Sequence, residues 1–152
     1  MSVRIVAVGK KHESWVEEGI KRYQKRLRKP YDVEWILLAH SSLTEDRARQ
    51  DESERILARI NDSDYVVLLD ERGENLSSPS LSQLCEQVIV GGQRLVCVIG
   101  GAYGVDERVG KRAQTIWSLS RLVFPHQLVR LMLVEQLYRS QEIARGGGYH
   151  HE

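Results

Sequence analysis

Gly100, Gly101 and Gly104 close the apolar run LVCVIGGAYGVD at 95–106. Glycine lets a backbone come close to a bound molecule, so amides and carbonyls rather than side chains would read a ligand there. A run of this kind bounded by glycine reads as a strand buried on both faces, and open α/β sheets bind ligands beyond the carboxyl ends of such strands. The run therefore points at a pocket. Three phosphate-binding readings fail. A dinucleotide site needs G-x-G-x-x-G after the first strand and an acidic residue after the second, whereas this chain has VGKKHES and LLAHSS. A P-loop needs one residue fewer between its glycines than GVDERVGKR has, and Arg112 stands where its hydroxyl should be. A phospho-receiver domain with Asp70 as acceptor would need acidic metal ligands at the end of the first strand, and VGKK supplies none.

The elements that must position this turn alternate between two periods. VRIVAVG (3–9), VEWILLA (33–39), DYVVLLD (64–70), QRLVCVIG (93–100) and TIWSLS (115–120) read as strands. Between them, ESWVEEGIKRYQKRLRK carries Trp15, Val16, Ile20, Tyr23 and Leu27 at helical spacing until Pro30. SSLTEDRARQDESERILARI has a capping-box pattern, Ser42 with Glu45, and a first half expected to be solvated and mobile. SLSQLCEQVIV and DERVGKRAQ are further helices, and 71–80 reads as a loop of functional length. The expected fold class is α/β, a mostly parallel sheet with helices on both faces, in one domain over 1–152. In HQLVRLMLVEQLYRSQEIAR, Leu128, Val129, Leu131, Met132, Leu133, Val134, Leu137 and Tyr138 cover more than one stripe, so this helix asks for two partners. A two-fold homodimer through it would supply the second.

Lys and Arg total 22 against 21 acidic residues, so a net charge of +1 gives no general attraction to polyanions. Nucleic acid would have to meet a local basic surface or one composed by subunits. No stretch has signal-peptide or membrane-span length, and a soluble cytoplasmic protein is expected. Cys85 and Cys97 lack metal-ligand spacing, so no metal is expected and both read as small core hydrophobes.

LLDERGE, VIGGAYGVDERV, WSLSRLVFPHQLVRLMLVEQLYRSQEI and the terminal YHHE together resemble the bacterial ribosomal RNA large-subunit methyltransferase H family of the SPOUT superfamily. The resemblance runs nearly end to end from RIVAVGK. It implies a C-terminal trefoil knot, which no strand pattern could have foretold, and an obligate dimer. It implies S-adenosylmethionine as cofactor and methylation of N3 of a pseudouridine in the helix 69 loop of 23S rRNA within the assembled ribosome, with no DNA or membrane partner. The cofactor-binding positions it implies are Leu69, Gly101 and the stretch Ser120, Arg121, Leu122, Val123, Phe124, Pro125, all at carboxyl ends of expected strands.

An imide nitrogen must lose its proton to attack a sulfonium methyl, so a base or a cation beside the anionic ring is required. Three glycines, Gly146 to Gly148, form a hinge before Tyr149 and His150, which match the family's tail and could close over a base. His151 stands where the family has a basic residue. His150 would be the general base or the group orienting the ring, and Arg139 in LYRS would hold the substrate or its developing charge. His126 could act beside the cofactor loop or merely brace the last helix, and Trp117 reads as core or pocket wall. Lys21, Arg22, Lys25, Arg26, Arg28 and Lys29 beside Tyr23 suit rRNA backbone contact, or a solvated helix face. The competing function is a non-catalytic ribosome-binding or assembly module that keeps the fold.

Overall fold

The structure, a computed structural model, describes residues 2–151. Among them the chain alternates strand and helix: β1 (Val3–Val8), α1 (Ser14–Gln24), β2 (Val33–Leu38), α2 (Glu45–Leu57), β3 (Tyr65–Asn75), α3 (Ser78–Val90), β4 (Leu95–Ile99), α4 (Glu107–Arg112), β5 (Thr115–Ser118) and α5 (His126–Ala144). All strand pairs are parallel, in the order β2-β1-β4-β3-β5. Successive side chains of a strand point to opposite faces, and the core divides accordingly. Val3, Ile5 and Ala7 of β1 with Cys97 and Ile99 of β4 meet Val16, Ile20, Cys85, Leu133 and Leu137 from α1, α3 and α5. Val6, Val8, Val96 and Val98 face the other way, onto Ile56 of α2 and Val109 of α4. Helices thus cover both faces, as expected, and truncating Ile5, fully buried, to Ala would cost about 2–5 kcal/mol.

Three boundaries differ from expectation. The first helix ends at Gln24 rather than near Pro30. The Gln141 side chain of α5 accepts from the Arg28 amide at 2.7 Å and donates to the Arg26 carbonyl at 3.1 Å, giving that stretch hydrogen bonds that need no helix. Leu27 and Tyr31 are drawn into the core, leaving the intervening cations outside. The second helix is capped at Thr44, so Glu45 is its first residue and the Ser42–Glu45 box does not form. Ala48, Glu52 and Ser53 are buried, which anchors a helix expected to begin as a solvated stretch.

The third difference touches the cleft. The stretch 71–80, expected as a loop, is instead the end of β3, a short link and the first turn of α3. β3 shifts register between Leu69 and Glu74, and Trp117 of β5 opposes both residues. Gly73 permits this: a Cβ there would fall 2.6 Å from the Ile116 carbonyl carbon and 2.8 Å from the Trp117 amide nitrogen. Ser77 then caps α3 by accepting from the Ser80 amide at 3.2 Å.

Candidate functional site

The carboxyl ends of β3, β4 and β5 and the start of α5 enclose a cleft of about 740 Å³, within the range of small-molecule sites. Leu69, Gly101, Ser120, Leu122, Val123 and Phe124 line it; Arg121 and Pro125 do not. Pro125 instead occupies the cap position of α5 at φ −58°, which fixes where that helix starts. Ser118 Oγ donates to the Ser120 carbonyl at 2.7 Å and Ser120 Oγ accepts from the Leu122 amide at 3.1 Å, folding the segment back over the cleft. Trp117 is buried and forms part of the wall.

Gly100 and Gly101 turn the chain at the floor. Their missing side chains serve the protein interior: a Gly101 Cβ would lie 2.7 Å from Glu52 Oε1, and a Gly100 Cβ 3.0 Å from Val105. Gly104 is different, with φ +73° and open space beyond it, and its amide closes the turn onto the Gly101 carbonyl at 3.0 Å. Glu52 is 3 % exposed and its Oε2 accepts from the Ser41 amide at 2.9 Å. It ties α2 to the segment after β2, and its other oxygen packs beneath the turn.

On the far wall, Asp70 accepts from Arg72 through its amide at 2.8 Å and its guanidinium at 3.0 and 2.8 Å. Those hydrogen bonds hold the Asp70 carboxyl below the usual range against the opposing effect of burial. The cleft thus carries a fixed carboxylate and a cation at its mouth, both among its lining residues.

Behind the start of α5, Arg130 is buried. Its Nη2 donates to the Val8 and Gly9 carbonyls at 3.0 and 3.1 Å, and its Nη1 to the Lys11 carbonyl at 3.1 Å and His12 Nδ1 at 3.2 Å. Burial first, and then this cation, push the His12 pKa down. Arg130 locks the β1 end to α5, and His126 one turn earlier reaches the cleft, so bracing and lining are not alternatives for this stretch.

Arg139, Tyr149 and His150 do come together, but elsewhere. Arg139 Nη1 lies 3.0 Å from His150 Nδ1, and its guanidinium carbon is 4.7 Å from the Tyr149 ring centroid. A guanidinium only donates, so His150 Nδ1 is the acceptor of this contact. Glu135 organises the group, accepting from Arg139 Nη2 at 2.8 Å and from the Tyr149 hydroxyl at 2.9 Å. Burial and then that bond raise the Tyr149 pKa, which keeps the phenol protonated.

None of these three residues lines the cleft. In a parallel α/β sheet the helices run back against the strands, so the start of α5 lies at the cleft and its end at the opposite edge. Arg139 is thirteen residues beyond His126, about 20 Å along the axis at 1.5 Å per residue. Sequence reasoning missed Glu135, Glu52 and the Asp70–Arg72 pair. The i,i+4 spacing of Glu135 and Arg139 was the available signal for the first, and nothing local marked Glu52.

The family described as predicted SPOUT methyltransferase matches residues 1–150. Curated relatives named ribosomal RNA large subunit methyltransferase H are 40% identical in Desulfitobacterium hafniense (strain DSM 10664 / DCB-2) and in Streptococcus agalactiae serotype III, each over 99% of both chains. A relative of the same name in Bacillus pumilus is 39% identical over the same shares.

Proposed function

Since the chain belongs to the SPOUT methyltransferase family, we propose that it is a cytoplasmic rRNA methyltransferase whose target is N3 of a pseudouridine in the helix 69 loop of 23S rRNA, met on the assembled ribosome. The methyl donor in this reading is S-adenosylmethionine, whose sulfonium supplies an electrophilic methyl group. The names of the relatives support the rRNA substrate. The size of the cleft and its mixed lining support the donor: apolar Leu69, Leu122, Val123 and Phe124 for an adenine and thioether-like body, backbone groups of Gly101 and Ser120 for polar edges, and the Asp70 carboxylate for hydroxyl or ammonium groups.

The observation that carries the reading is the separation of the cleft from the Arg139–Tyr149–His150 cluster. A single chain holds both halves at opposite ends of its sheet. A two-fold axis across α5 would set the start of one copy's helix beside the end of the other's, so each cleft would receive the partner's tail. The active enzyme is accordingly a homodimer with composite sites, its whole chain 1–152 acting as one domain with the family's trefoil threading. In the site, Arg139 carries a fixed positive charge and His150 is held against it. Both favour the anionic ring left when the imide loses its proton to water, so His150 acts as an orienting and charge-stabilising group. The methyl group passes from sulfur to nitrogen, the sulfonium becomes a thioether, and the imide proton leaves to solvent.

The test is transfer of labelled methyl to ribosomes lacking the modification, beside modified ribosomes and protein-free 23S rRNA. Label is expected on the unmodified ribosomes alone, at one pseudouridine. His150→Ala should abolish transfer and leave donor affinity unchanged. Donor binding without transfer to any of the three would instead fit a ribosome-binding module.

A further inference from the structure

Glu52 is buried, yet only one of its carboxylate oxygens is hydrogen-bonded: Oε2 accepts from the Ser41 amide at 2.9 Å, while Oε1 has no partner among the described residues. A buried charge with an unbonded oxygen is costly unless an opposite charge stands close by. Asp64 and Glu142, the other buried carboxylates among the described residues, have Arg94 at 2.8 Å and Arg145 at 3.5 Å. Glu52 has only His40 within 4.0 Å, at 3.9 Å and on an exposed ring. The buried Arg130 guanidinium is already taken up by three carbonyls and His12.

The unbonded oxygen lies directly behind the cleft floor, 2.7 Å from where a Gly101 Cβ would be, and Gly101 lines the cleft. With no side chain at that position, the backbone of the lining residue itself borders the carboxylate. The carboxylates inside the cleft are compensated: Asp70 by Arg72 at 2.8 Å, Asp106 by Arg108 at 2.8 Å and Glu107 by Lys111 at 3.8 Å. Glu71 is exposed, so water screens its charge. Glu52 is thus the buried negative charge at this cleft that no bonded cation offsets.

Resting on the S-adenosylmethionine reading above, we propose that Glu52 is a specificity residue, which selects the charged donor over the spent product. A positive charge held in the cleft offsets the carboxylate through a water-poor layer of backbone, where charges act more strongly on one another than in water. The thioether left after transfer has lost the sulfonium charge, so Glu52 holds the product less firmly and favours its exchange for fresh donor. Glu52 does not line the cleft and acts by its charge from behind the floor.

Calorimetry on the full-length protein tests this with three probes: S-adenosylmethionine, sinefungin, which carries an ammonium group in place of the methylsulfonium, and S-adenosylhomocysteine, which is uncharged at sulfur. The wild type should bind the first two more tightly than the third. Glu52→Gln keeps the shape and an acceptor for the Ser41 amide; it should lose about tenfold in affinity for the two charged probes and less than about threefold for the thioether. Glu52→Asp, which keeps the charge, should retain the preference. Equal losses for all three probes in Glu52→Gln would mean that the residue only shapes the floor, and would overturn the proposal. So would a wild type that holds the thioether as tightly as the charged probes, a result that depends on no variant folding and that, with methyl transfer intact, sinks this inference alone. A wild type that binds none of the three overturns the donor reading and this inference with it.

Discussion

Glu52 Oε1 lies 2.7 Å from the position a Gly101 Cβ would occupy, so the glycine at the cleft floor is fixed by a buried carboxylate beneath it. Gly101→Ala should force the two apart at a cost of about 1–3 kcal/mol, read as roughly a tenfold or greater loss of donor affinity by calorimetry. The effect should be non-additive: in a Glu52→Ala background the alanine at position 101 should cost less, because the tighter contact is gone and only the Val8 methyl at 3.1 Å has to give. Full additivity would mean that Gly101 is needed by the ligand rather than by Glu52.

Glu135 bonds both Arg139 and the Tyr149 hydroxyl. Glu135→Gln should lower the rate of methyl transfer by about 10- to 100-fold through misplacement of two groups, whereas Tyr149→Phe removes one hydrogen bond worth about 1 kcal/mol. Neither should alter donor affinity, because in the composite site the partner's cluster meets the RNA base rather than the donor. A change in donor affinity with Glu135→Gln would contradict the separation.

Gln141 can be tested without changing charge. Gln141→Leu removes the bonds to Arg26 and Arg28, and ribosome affinity should fall although every cation is still present. Urea melts of the same variant separate loss of fold from loss of position.

Asp64 is 2 % exposed and accepts from Arg94 at 3.1 and 2.8 Å and from the Asn61 amide at 2.8 Å. Burial alone would raise its pKa, but Arg94 and the amide reverse that and leave it lowered. With a folded pKa below the unfolded value of about 3.9, the stabilisation is complete above that pH and fades as pH falls through the folded value. Asp64→Asn should therefore cost about 2 kcal/mol near pH 7, and the gap to wild type should narrow as pH falls below the unfolded value.

Cys85 and Cys97 are free and buried. Burial pushes the Cys85 thiol up to about 12 and raises Cys97 as well. A thiol reagent at pH 8 should leave the native protein unlabelled and modify both cysteines in denaturant. Rapid native labelling would contradict their placement.

The strands and their order of appearance were legible because each carries an apolar run, and the inner strands β1 and β4 are buried on both faces, Val96 and Cys97 pointing to opposite cores. The glycine turn was legible for the same reason. Less visible was anything decided by contacts across the chain. Gln141, which helps end the first helix early, is 113 residues from Arg28, and no local periodicity carries that information. The same holds for 71–80, where turn-forming composition disguised a strand whose partner, Trp117, arrives more than forty residues later. Within the cleft the motif residues were readable, but the distance between them and the tail became apparent only when α5 had a direction relative to the sheet.

The two walls of the cleft are built differently. On one side the prolonged β3 is hydrogen-bonded to β5 and braced by the Asp70–Arg72 pair. On the other, 119–125 is irregular, held by two serine hydroxyls, with Leu122 and Val123 exposed by 69 and 77 %. Only the second wall can yield without breaking a sheet. In the proposed reaction, fresh donor would enter and the spent thioether leave past this short apolar stretch, so a change confined to its tip would alter the turnover rate while leaving every reacting group in place.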